Sequence, residues 1–389
     1  MSSFTYVDTA AALDALCSRL EGRSWLTLDT EFIREKTYYP RLCLIQIADA
    51  SEVACIDPLA IEDLTPLRRL LYDTRTLKVL HAAGQDMEIF HHLWGELPGP
   101  VFDTQIAAAV LGYGDQIGYG RLVQAVLGLD LEKAHARSDW DRRPLDPEQL
   151  NYAADDVHHL REVYLRLSAD LERLGRGDWL SEDFAALSDP ASYRPDPASA
   201  WRRVKGLQHL KGVQLAVLAA LADWREREAM RADRPRRWIL ADEPLLEIAK
   251  RQPADPTALG RIRGVEEGTL RRHGQALLDC VTTAKRLPRE QWPTLEPRRR
   301  LSPEQDVIAD AAMALLKYCA ESQAISPAAL ATRRDVEALV AGEDSALHHG
   351  WRAHLAGDEI AAWLTGATAL AVRDGRLAVL PGTSAGAEK

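Results

Sequence analysis

Two carboxylates, two residues apart, end a strand-like run near the start of this 389-residue sequence. The run Trp-Leu-Thr-Leu-Asp-Thr-Glu-Phe places Asp29 and Glu31 on one face of a strand, because side chains alternate between the two faces. The preceding residues are apolar, and neighbouring carboxylates in such surroundings repel each other unless a positive charge lies between them. Oxygen ligands of this kind suit Mg²⁺ or Mn²⁺ better than zinc.

Three further side chains have the type and position to join the same site. Asp86 follows a strand-like run at residues 77–81 and begins a helix, where capping is the simpler interpretation. Tyr152 and Asp156 are four residues apart on a predicted helix and share one face. Asp155 is rotated by about 100 degrees from Asp156 and is expected to face solvent. No single one of these motifs identifies a function.

The elements that must position these residues form a mixed pattern. Strand-like runs at residues 25–29, 42–48 and 53–57 are separated by short turn-forming segments, which predicts antiparallel neighbours. A helix is predicted at residues 63–72, a further strand at 77–81, and a long helix at 147–167. Residues 1–190 are therefore predicted to form a mixed sheet flanked by helices.

Proline-rich breaks divide the rest of the chain. Residues 188–197 contain three prolines, which suits a linker, and apolar residues from position 213 onward recur at helical spacing. A second break at residues 287–303 precedes another helical pattern. We predict helical domains at residues 197–290 and 301–380, which are candidate diverged copies of each other.

Charge is distributed unevenly along the sequence. The net charge is −10, yet residues 1–190 carry 18 Lys and Arg against 32 Asp and Glu, whereas residues 191–300 carry 23 against 14. An acidic region joined to a basic one suits a metal-requiring module attached to a polyanion-binding module, although a charged soluble surface is the simpler alternative. Without a long apolar run or a cysteine pair typical of zinc sites, we expect a cytoplasmic protein with no membrane contact.

The three acidic motifs together, in their order and intervals, resemble the 3′-5′ exonuclease superfamily that uses D-x-E, a mid-domain Asp and Y-x-x-x-D. Flanking segments such as Leu-Asp-Thr-Glu-Phe, His-Ala-Ala-Gly-Gln-Asp and Asn-Tyr-Ala-Ala-Asp-Asp-Val resemble ribonuclease D specifically. The basic middle region is similar to the helicase-and-ribonuclease-D C-terminal (HRDC) domain. Its residues Trp201, Leu221, Arg225 and Glu226 fit the helices of that domain. The family's third motif often has three small residues before its Asp, whereas here the third is Asp155.

This resemblance implies a fold class and a mechanism. The fold would be an α/β N-terminal domain, a ribonuclease H-like mixed sheet flanked by helices, followed by two all-α helical-bundle domains. The activity would be 3′-to-5′ hydrolysis of RNA with two divalent cations, Mg²⁺ or Mn²⁺. Asp29, Glu31 and Asp156 would hold one cation, Asp29 would bridge to the second, and Asp86 would support the second. Tyr152 would position the attacking water.

The expected partner is RNA with a free 3′ end, for which tRNA precursors are the substrate that the resemblance implies, and we expect a monomer. Candidate contacts to the terminal nucleotide are Phe32, His81, Gln85 and Gln105. Candidate contacts to the body of the RNA include Arg202, Lys205, Lys211 and Arg236. Two alternatives stay open on the residues alone: a DNA 3′-5′ exonuclease of the proofreading or repair type, and a non-catalytic RNA-binding scaffold.

Overall fold

The computed structural model describes residues 3–131, 138–295 and 301–382. Within these ranges the chain forms two compact units. The first contains Met1–Glu31, Cys43–Ser192 and Arg299–Lys389, and the second contains Phe32–Leu42 and Tyr193–Arg298, so far as they are described. The predicted division into domains 1–190, 197–290 and 301–380 stays a prediction about which parts fold independently.

A six-stranded mixed sheet belongs to the N-terminal part of the chain. Its strands are β1 (Thr5–Val7), β2 (Trp25–Ile33), β3 (Arg41–Ala48), β4 (Val53–Ile56), β5 (Leu77–Leu80) and β6 (Val101–Asp103). The strand order is β1-β4-β3-β2-β5-β6, with β3 antiparallel to β4 and the pairs β1–β4, β2–β5 and β5–β6 parallel. The sequence predicted four of these strands. Both β1 and β6 have only three residues, too few to show a period of two.

Helices follow or flank the strands in the same part of the chain. They are α1 (Ala10–Leu20), α2 (Thr65–Leu71), α3 (Gly84–Trp94), α4 (Thr104–Val110), α5 (Tyr119–Leu127), α6 (Pro147–Leu174) and α7 (Ser181–Leu187). The longest, α6, begins at a capping box formed by Asp146 and Gln149, with Pro147 in the first turn. It ends at Gly175, whose φ of 65° is left-handed and therefore favours glycine. Local sequence signals thus define both ends of α6.

The C-terminal part of the first unit is mostly helical but ends in two strands. It contains α13 (Pro303–Ser322), α14 (Pro327–Leu330), α15 (Arg333–Val340), α16 (Gly350–Arg352), α17 (Asp358–Leu364), β7 (Thr368–Arg373) and β8 (Arg376–Pro381), numbered in chain order after the helices of the second unit. The β7–β8 hairpin departs from the all-α expectation for residues 301–380. Its turn residues Asp374 and Gly375 have φ values of 52° and 74°. The sequence signal for this hairpin is the Asp-Gly pair between two short, largely apolar runs.

This C-terminal part packs directly on the N-terminal part within the same unit. The rings of Trp179 and Trp351 stack at 4.7 Å between centroids with 3° between planes, and the Trp351 indole donates to the Trp179 carbonyl. The Arg352 guanidinium donates to the carboxylates of Glu182 at 3.2 Å and Asp183 at 3.0 Å. Residues more than 160 positions apart in sequence are therefore joined by both apolar and charged contacts.

The second unit is a helical bundle with its own apolar core. Its helices are α8 (Val213–Ala232), α9 (Arg236–Ile239), α10 (Asp242–Arg251), α11 (Pro256–Gly260) and α12 (Glu267–Arg286). Leu218 and Leu221 of α8, Ile248 of α10 and Leu277 of α12 are fully buried in this core. The segment Phe32–Leu42, which follows Glu31 directly in the chain, also belongs to this unit.

The observed architecture confirms the predicted fold class, a mixed sheet with flanking helices followed by mostly helical regions. In the ranges that the structure describes, no helix is both long and apolar enough to cross a membrane.

Candidate active site

Strand β2 and helix α6 are joined beside the predicted site. Thr27 is fully buried, and its hydroxyl lies 3.1 Å from the carbonyl oxygen of Val157 and 3.3 Å from that of Ala48. The period of two places Thr27 on the same face of β2 as Asp29, and Val157 is the neighbour of Asp156 in α6. This contact therefore brings the first and third acidic motifs together. Nothing in the local sequence distinguishes Thr27 from any other strand threonine.

The three carboxylates of Asp29, Glu31 and Asp156 converge. One oxygen of each lies within 4.8 Å of the others. Three oxygen ligands at this separation fit a hard divalent cation. The charged side chains that most affect the pKa values of these three residues are all carboxylates.

Asp86 lies in the first turn of α3 and is held by a different contact. It is 6% exposed, and its Oδ1 accepts a 2.5 Å hydrogen bond from the hydroxyl of Thr30. The turn before it is fixed by Asp103, whose carboxylate accepts from the backbone N–H groups of Ala82 at 3.0 Å and Ala83 at 2.8 Å. Thr30 of β2 and Asp103 at the end of β6 thus position the second acidic motif.

The electrostatics of the cluster favour protons when no cation is bound. Burial raises the pKa of Glu31 to about 9, with the charges of Asp156 and Asp86 contributing in the same direction. Burial also raises the pKa of Asp86 to about 7, despite the hydrogen bond from Thr30. Burial, followed by the charge of Asp155, raises the pKa of Asp156 to about 7. The pKa of Asp29 is raised well above its ordinary range, first by burial and then by Asp156, Asp86 and Glu31.

Two tyrosines lie against Asp156. Burial and the charges of Asp156, Glu31 and Asp29 raise the pKa of Tyr152 above its ordinary value, so its phenol keeps its proton. The hydroxyl of Tyr119, at the start of α5, donates to the backbone carbonyl of Asp156. Burial, followed by the charges of Asp156 and Asp29, raises the pKa of Tyr119 as well. No sequence pattern predicted a role for Tyr119, because an isolated tyrosine at a helix start carries no spacing signal.

The loop before α6 is held in place by Arg143, a residue for which the sequence predicted no role. The guanidinium of Arg143 donates to both carboxylate oxygens of Asp57, at 2.6 and 2.7 Å. It donates further to the carbonyl oxygens of Trp140 at 2.8 Å and Cys43 at 2.7 Å. The buried Trp140 ring lies 6.3 Å from the Tyr152 ring between centroids. Arg143 therefore fixes the loop that carries a neighbour of Tyr152.

The predicted contacts to the terminal nucleotide have different surroundings. Gln85 is exposed next to Asp86. His81 uses both ring nitrogens, at 2.9 Å from the Thr104 hydroxyl and 3.0 Å from the Ile117 carbonyl oxygen. The side chain of Gln105 donates to the same Ile117 carbonyl at 3.0 Å. His81 and Gln105 therefore already have protein partners. Phe32 is half-buried and belongs to the second unit. Their contacts to RNA stay predictions.

The predicted basic contacts all lie in the second unit. Arg202, Lys205 and Lys211 are exposed, and the Arg202 guanidinium lies 5.1 Å from the centroid of the Trp201 ring. Arg236 is less exposed and lies 3.6 Å from the carboxylate of the buried Glu226. Arg236 therefore has an intramolecular partner, unlike the simple surface position that the sequence suggested.

Two family models match the chain. The 3′-5′ exonuclease model matches residues 4–172, which include all four carboxylates of the candidate site and Tyr152. The HRDC domain model matches residues 214–281, within the helical bundle of the second unit.

Known relatives match nearly the whole chain. A ribonuclease D of Gluconacetobacter diazotrophicus is 44% identical over 379 residues, covering 95% of this chain and 93% of the relative. A ribonuclease D of Acidiphilium cryptum is 43% identical, with 96% of each covered. The crystal structure of Escherichia coli RNase D, described as an exoribonuclease involved in structured RNA processing, superposes with a TM-score of 0.80 at 33% identity, covering 94% of this chain and 99% of that one. The chain therefore belongs to the ribonuclease D family and is a 3′-5′ exoribonuclease.

Proposed function

We propose that this exoribonuclease hydrolyses RNA from the 3′ end with two divalent cations, Mg²⁺ or Mn²⁺, and releases nucleoside 5′-monophosphates. The observation that carries the proposal is the convergence of Asp29, Glu31 and Asp156 in one cluster within 4.8 Å. When bound, such cations supply an activated water and neutralise the charge that develops on the phosphoryl oxygens.

The side chains have separate tasks in this proposal. Asp29, Glu31 and Asp156 would hold one cation, Asp29 would also serve a second, and Asp86, in the first turn of α3, would support the second. Tyr152 stays protonated and orients the attacking water by hydrogen bonding, which its raised pKa supports. Water supplies the new phosphorus–oxygen bond as the bond to the 3′-oxygen of the preceding nucleotide breaks, and the proton that the water loses is balanced by the proton that the leaving 3′-oxygen takes up from solvent.

Recognition of the RNA involves two sets of residues. Phe32 stacks on the terminal base, and Gln85 contacts its sugar or phosphate. His81 and Gln105 contribute only if they exchange the hydrogen bonds that they make to Ile117. The body of the RNA is held by the HRDC bundle through Arg202, Lys205, Lys211 and Arg236.

We propose that the substrates are tRNA precursors and other structured RNAs with short 3′ extensions. The description of the similar Escherichia coli RNase D as involved in structured RNA processing supports this assignment. We further propose a cytoplasmic location, since all five cysteines are free thiols, which suits a reducing compartment. We also propose that the protein is a monomer.

The test is product analysis on a 3′-extended tRNA precursor, with Mg²⁺, with Mn²⁺ and with EDTA. We expect nucleoside 5′-monophosphates in both metals and none in EDTA. Asp29→Asn should lower kcat at least about a hundredfold, because it removes a carboxylate charge that would serve both cations. Asp63→Asn is the matched control, since Asp63 is an exposed carboxylate and the amide oxygen of Asn can still accept the hydrogen bond from the Thr65 N–H.

Undiminished release by Asp29→Asn would contradict the assigned role of Asp29. A parallel reaction on single-stranded DNA of the same sequence tests the remaining alternative, a DNA 3′-5′ exonuclease. Faster hydrolysis of the DNA would favour a DNA exonuclease over the proposed RNA substrate.

A further inference from the structure

The segment Phe32–Leu42 begins at the residue after Glu31, yet it belongs to the second unit, which contains the HRDC helical bundle. Strand β2 ends at Ile33 and β3 begins at Arg41, so the segment comprises the end of β2, the connection formed by residues 34–40, and the start of β3. Arg34, Glu35 and Lys36 at its start are at least partly exposed. Tyr38, a few residues later, is only 8% exposed. A surface connection between strands does not by itself explain a buried aromatic residue.

Tyr38 is anchored by its side chain in the bundle. Its ring packs with Ala229 of α8 and Ile239 of α9, and its hydroxyl donates a 2.5 Å hydrogen bond to Glu226. Glu226 is 1% exposed and lies 3.4 Å from Arg203. Removing a carboxylate from water costs free energy unless hydrogen bonds and opposite charge compensate for it. The bundle thus obtains part of that compensation from Tyr38.

A second anchor holds the backbone of the segment. The N–H groups of Tyr38 and Tyr39 both donate to Oδ1 of Asp233, at 3.0 and 3.1 Å. Asp233 ends α8 with a left-handed φ of 45°, a conformation that Asp, Asn and Gly tolerate. The Arg34 guanidinium also donates to the Tyr38 carbonyl at 2.9 Å, which ties the start of the segment to the anchored residue.

The anchor is close to Glu31 along the chain. Only residues 34–37 lie between the end of β2 and Tyr38. Ile33 and Tyr38 are five residue steps apart and can be separated by at most about 18 Å, so an anchored Tyr38 limits the positions that Ile33 and Phe32 can take. A displacement of about 1 Å in a catalytic group can cost on the order of a hundredfold in rate.

We propose that Tyr38, Glu226 and Asp233 are positioning residues that anchor the segment Phe32–Leu42 and thereby set the conformation of Phe32, the proposed stacking partner of the terminal base. The inference rests on the proposed function, because it assigns these residues to the hydrolysis of the 3′-terminal nucleotide. It has one distinctive consequence. The anchored segment affects turnover even of RNAs too short to reach the basic side chains of the bundle.

The experiment uses the full chain and a short 5′-labelled single-stranded oligoribonucleotide with Mn²⁺. Asp233→Gly removes the two backbone contacts while tolerating the left-handed φ, and Asp233→Asn keeps both the oxygen and the φ. Tyr38→Phe removes only the hydroxyl. Tyr72→Phe is the matched control, since the Tyr72 hydroxyl makes a 2.6 Å hydrogen bond to the Glu96 carbonyl elsewhere in the chain.

We expect Asp233→Gly and Tyr38→Phe to lower kcat about tenfold on this substrate, with Asp233→Asn and Tyr72→Phe near the wild-type value. Trypsin gives a readout that needs no activity. Cleavage after Arg34 and the exposed Lys36 should accelerate in Asp233→Gly and Tyr38→Phe and not in the other two variants.

Wild-type kcat in Asp233→Gly and Tyr38→Phe would overturn the inference, and so would tryptic cleavage unchanged by these substitutions. A loss of kcat that merely follows a lowered melting temperature across all four variants would also overturn it. Absence of metal-dependent hydrolysis in the wild-type chain would instead refute the proposed function. The tryptic comparison would still decide whether Asp233 holds the segment.

Discussion

At the residue scale, the candidate site is defined by carboxylates that are hard to ionise together. Burial raises the pKa values of all four, the charges of the other site carboxylates add to this for Asp29 and Glu31, and the pKa of Glu31 reaches about 9. A divalent cation and a set of protons therefore compete for the same oxygens. This competition makes cation affinity depend on pH, and it links the site to the stability of the fold.

The first prediction concerns the pH dependence of the metal-free protein. The pKa values of Asp86 and Asp156, about 7, and of Glu31, about 9, exceed the unfolded values of about 4. The folded state therefore binds these protons more tightly. The resulting stability is fully present below about pH 4 and is lost as pH rises through about 7 and about 9. We expect the melting temperature in EDTA to fall from about pH 6 to about pH 9.

Thermal unfolding across this pH range, with EDTA or with Mg²⁺, checks the prediction. The stabilisation by Mg²⁺ should grow with pH, because fewer protons oppose the cation. Glu31→Gln should reduce the fall seen in EDTA, since one of the mutually repelling charges is absent. Parallel curves for the wild type and Glu31→Gln would contradict the assignment of the fall to this cluster.

At the scale of elements, the position of α6 depends on contacts from distant strands. Thr27 of β2 binds the carbonyl of Val157, and Arg143 clamps the loop before the helix against Asp57. The Asp57 carboxylate is buried, and although burial alone would raise its pKa, hydrogen bonds from Arg143 and Tyr6 lower it below the ordinary value. The ion pair therefore holds the loop that carries Trp140 beside Tyr152.

We predict that Arg143→Lys lowers both stability and activity. Lysine keeps the charge but cannot make the two parallel hydrogen bonds to Asp57 together with those to the Trp140 and Cys43 carbonyls. The free energy of unfolding should fall by about 2 kcal/mol. Chemical denaturation measures this loss, and oligoribonucleotide hydrolysis measures kcat at a temperature where the variant is folded.

Tyr6→Phe is the control for Arg143→Lys. It removes the 2.6 Å hydrogen bond from Tyr6 to Asp57 and leaves the contacts of Arg143 to the loop in place. We expect it to reduce stability with little effect on kcat. Equal kcat values for Arg143→Lys and Tyr6→Phe would show that the clamp serves stability alone.

At the scale of the whole molecule, charge separates along the chain. Residues 1–190 are strongly acidic, whereas residues 191–300 are basic. Many arginines of the bundle are neutralised locally, such as Arg227 by Asp223 and Arg231 by Glu228 on the same helix. Exposed basic residues without a carboxylate on their own turn are better placed to bind phosphates.

We therefore predict that a triple Arg202→Gln, Lys205→Gln, Lys211→Gln variant binds structured RNA more weakly than the wild type. The slope of log affinity against log salt concentration should decrease in magnitude by roughly 0.7 to 0.9 for each phosphate that the variant no longer neutralises. Filter binding to an uncleaved tRNA precursor in Ca²⁺ or EDTA over a range of salt concentrations measures this slope. Arg236 is left unchanged because it neutralises the buried Glu226.

The matched control is Arg227→Gln combined with Arg231→Gln, which removes two exposed but neutralised charges from the same bundle. This double variant should bind RNA nearly as well as the wild type. If it weakens binding as much per charge as the triple variant, net charge rather than a local surface governs affinity.

The sequence alone predicted the candidate site and the type of fold. Period-two and helical patterns predicted β2, β3, β4 and β5 and the start of α6, because these elements are defined by local alternation and capping. The carboxylates Asp29, Glu31 and Asp156 were identified from their order and spacing, and the structure places their oxygens together. The short strands β1 and β6 were missed because three residues show no period.

Only the tertiary structure decided how distant residues hold the site. Thr27, Tyr119 and Arg143 act through partners 130, 37 and 86 positions away, respectively, and no local pattern identifies such partners. The same holds for Tyr38, whose carboxylate partner Glu226 lies 188 positions further along the chain. Spacing shows which groups can do chemistry, whereas packing in three dimensions determines which side chains fix their geometry, because those contacts join segments that are independent in sequence.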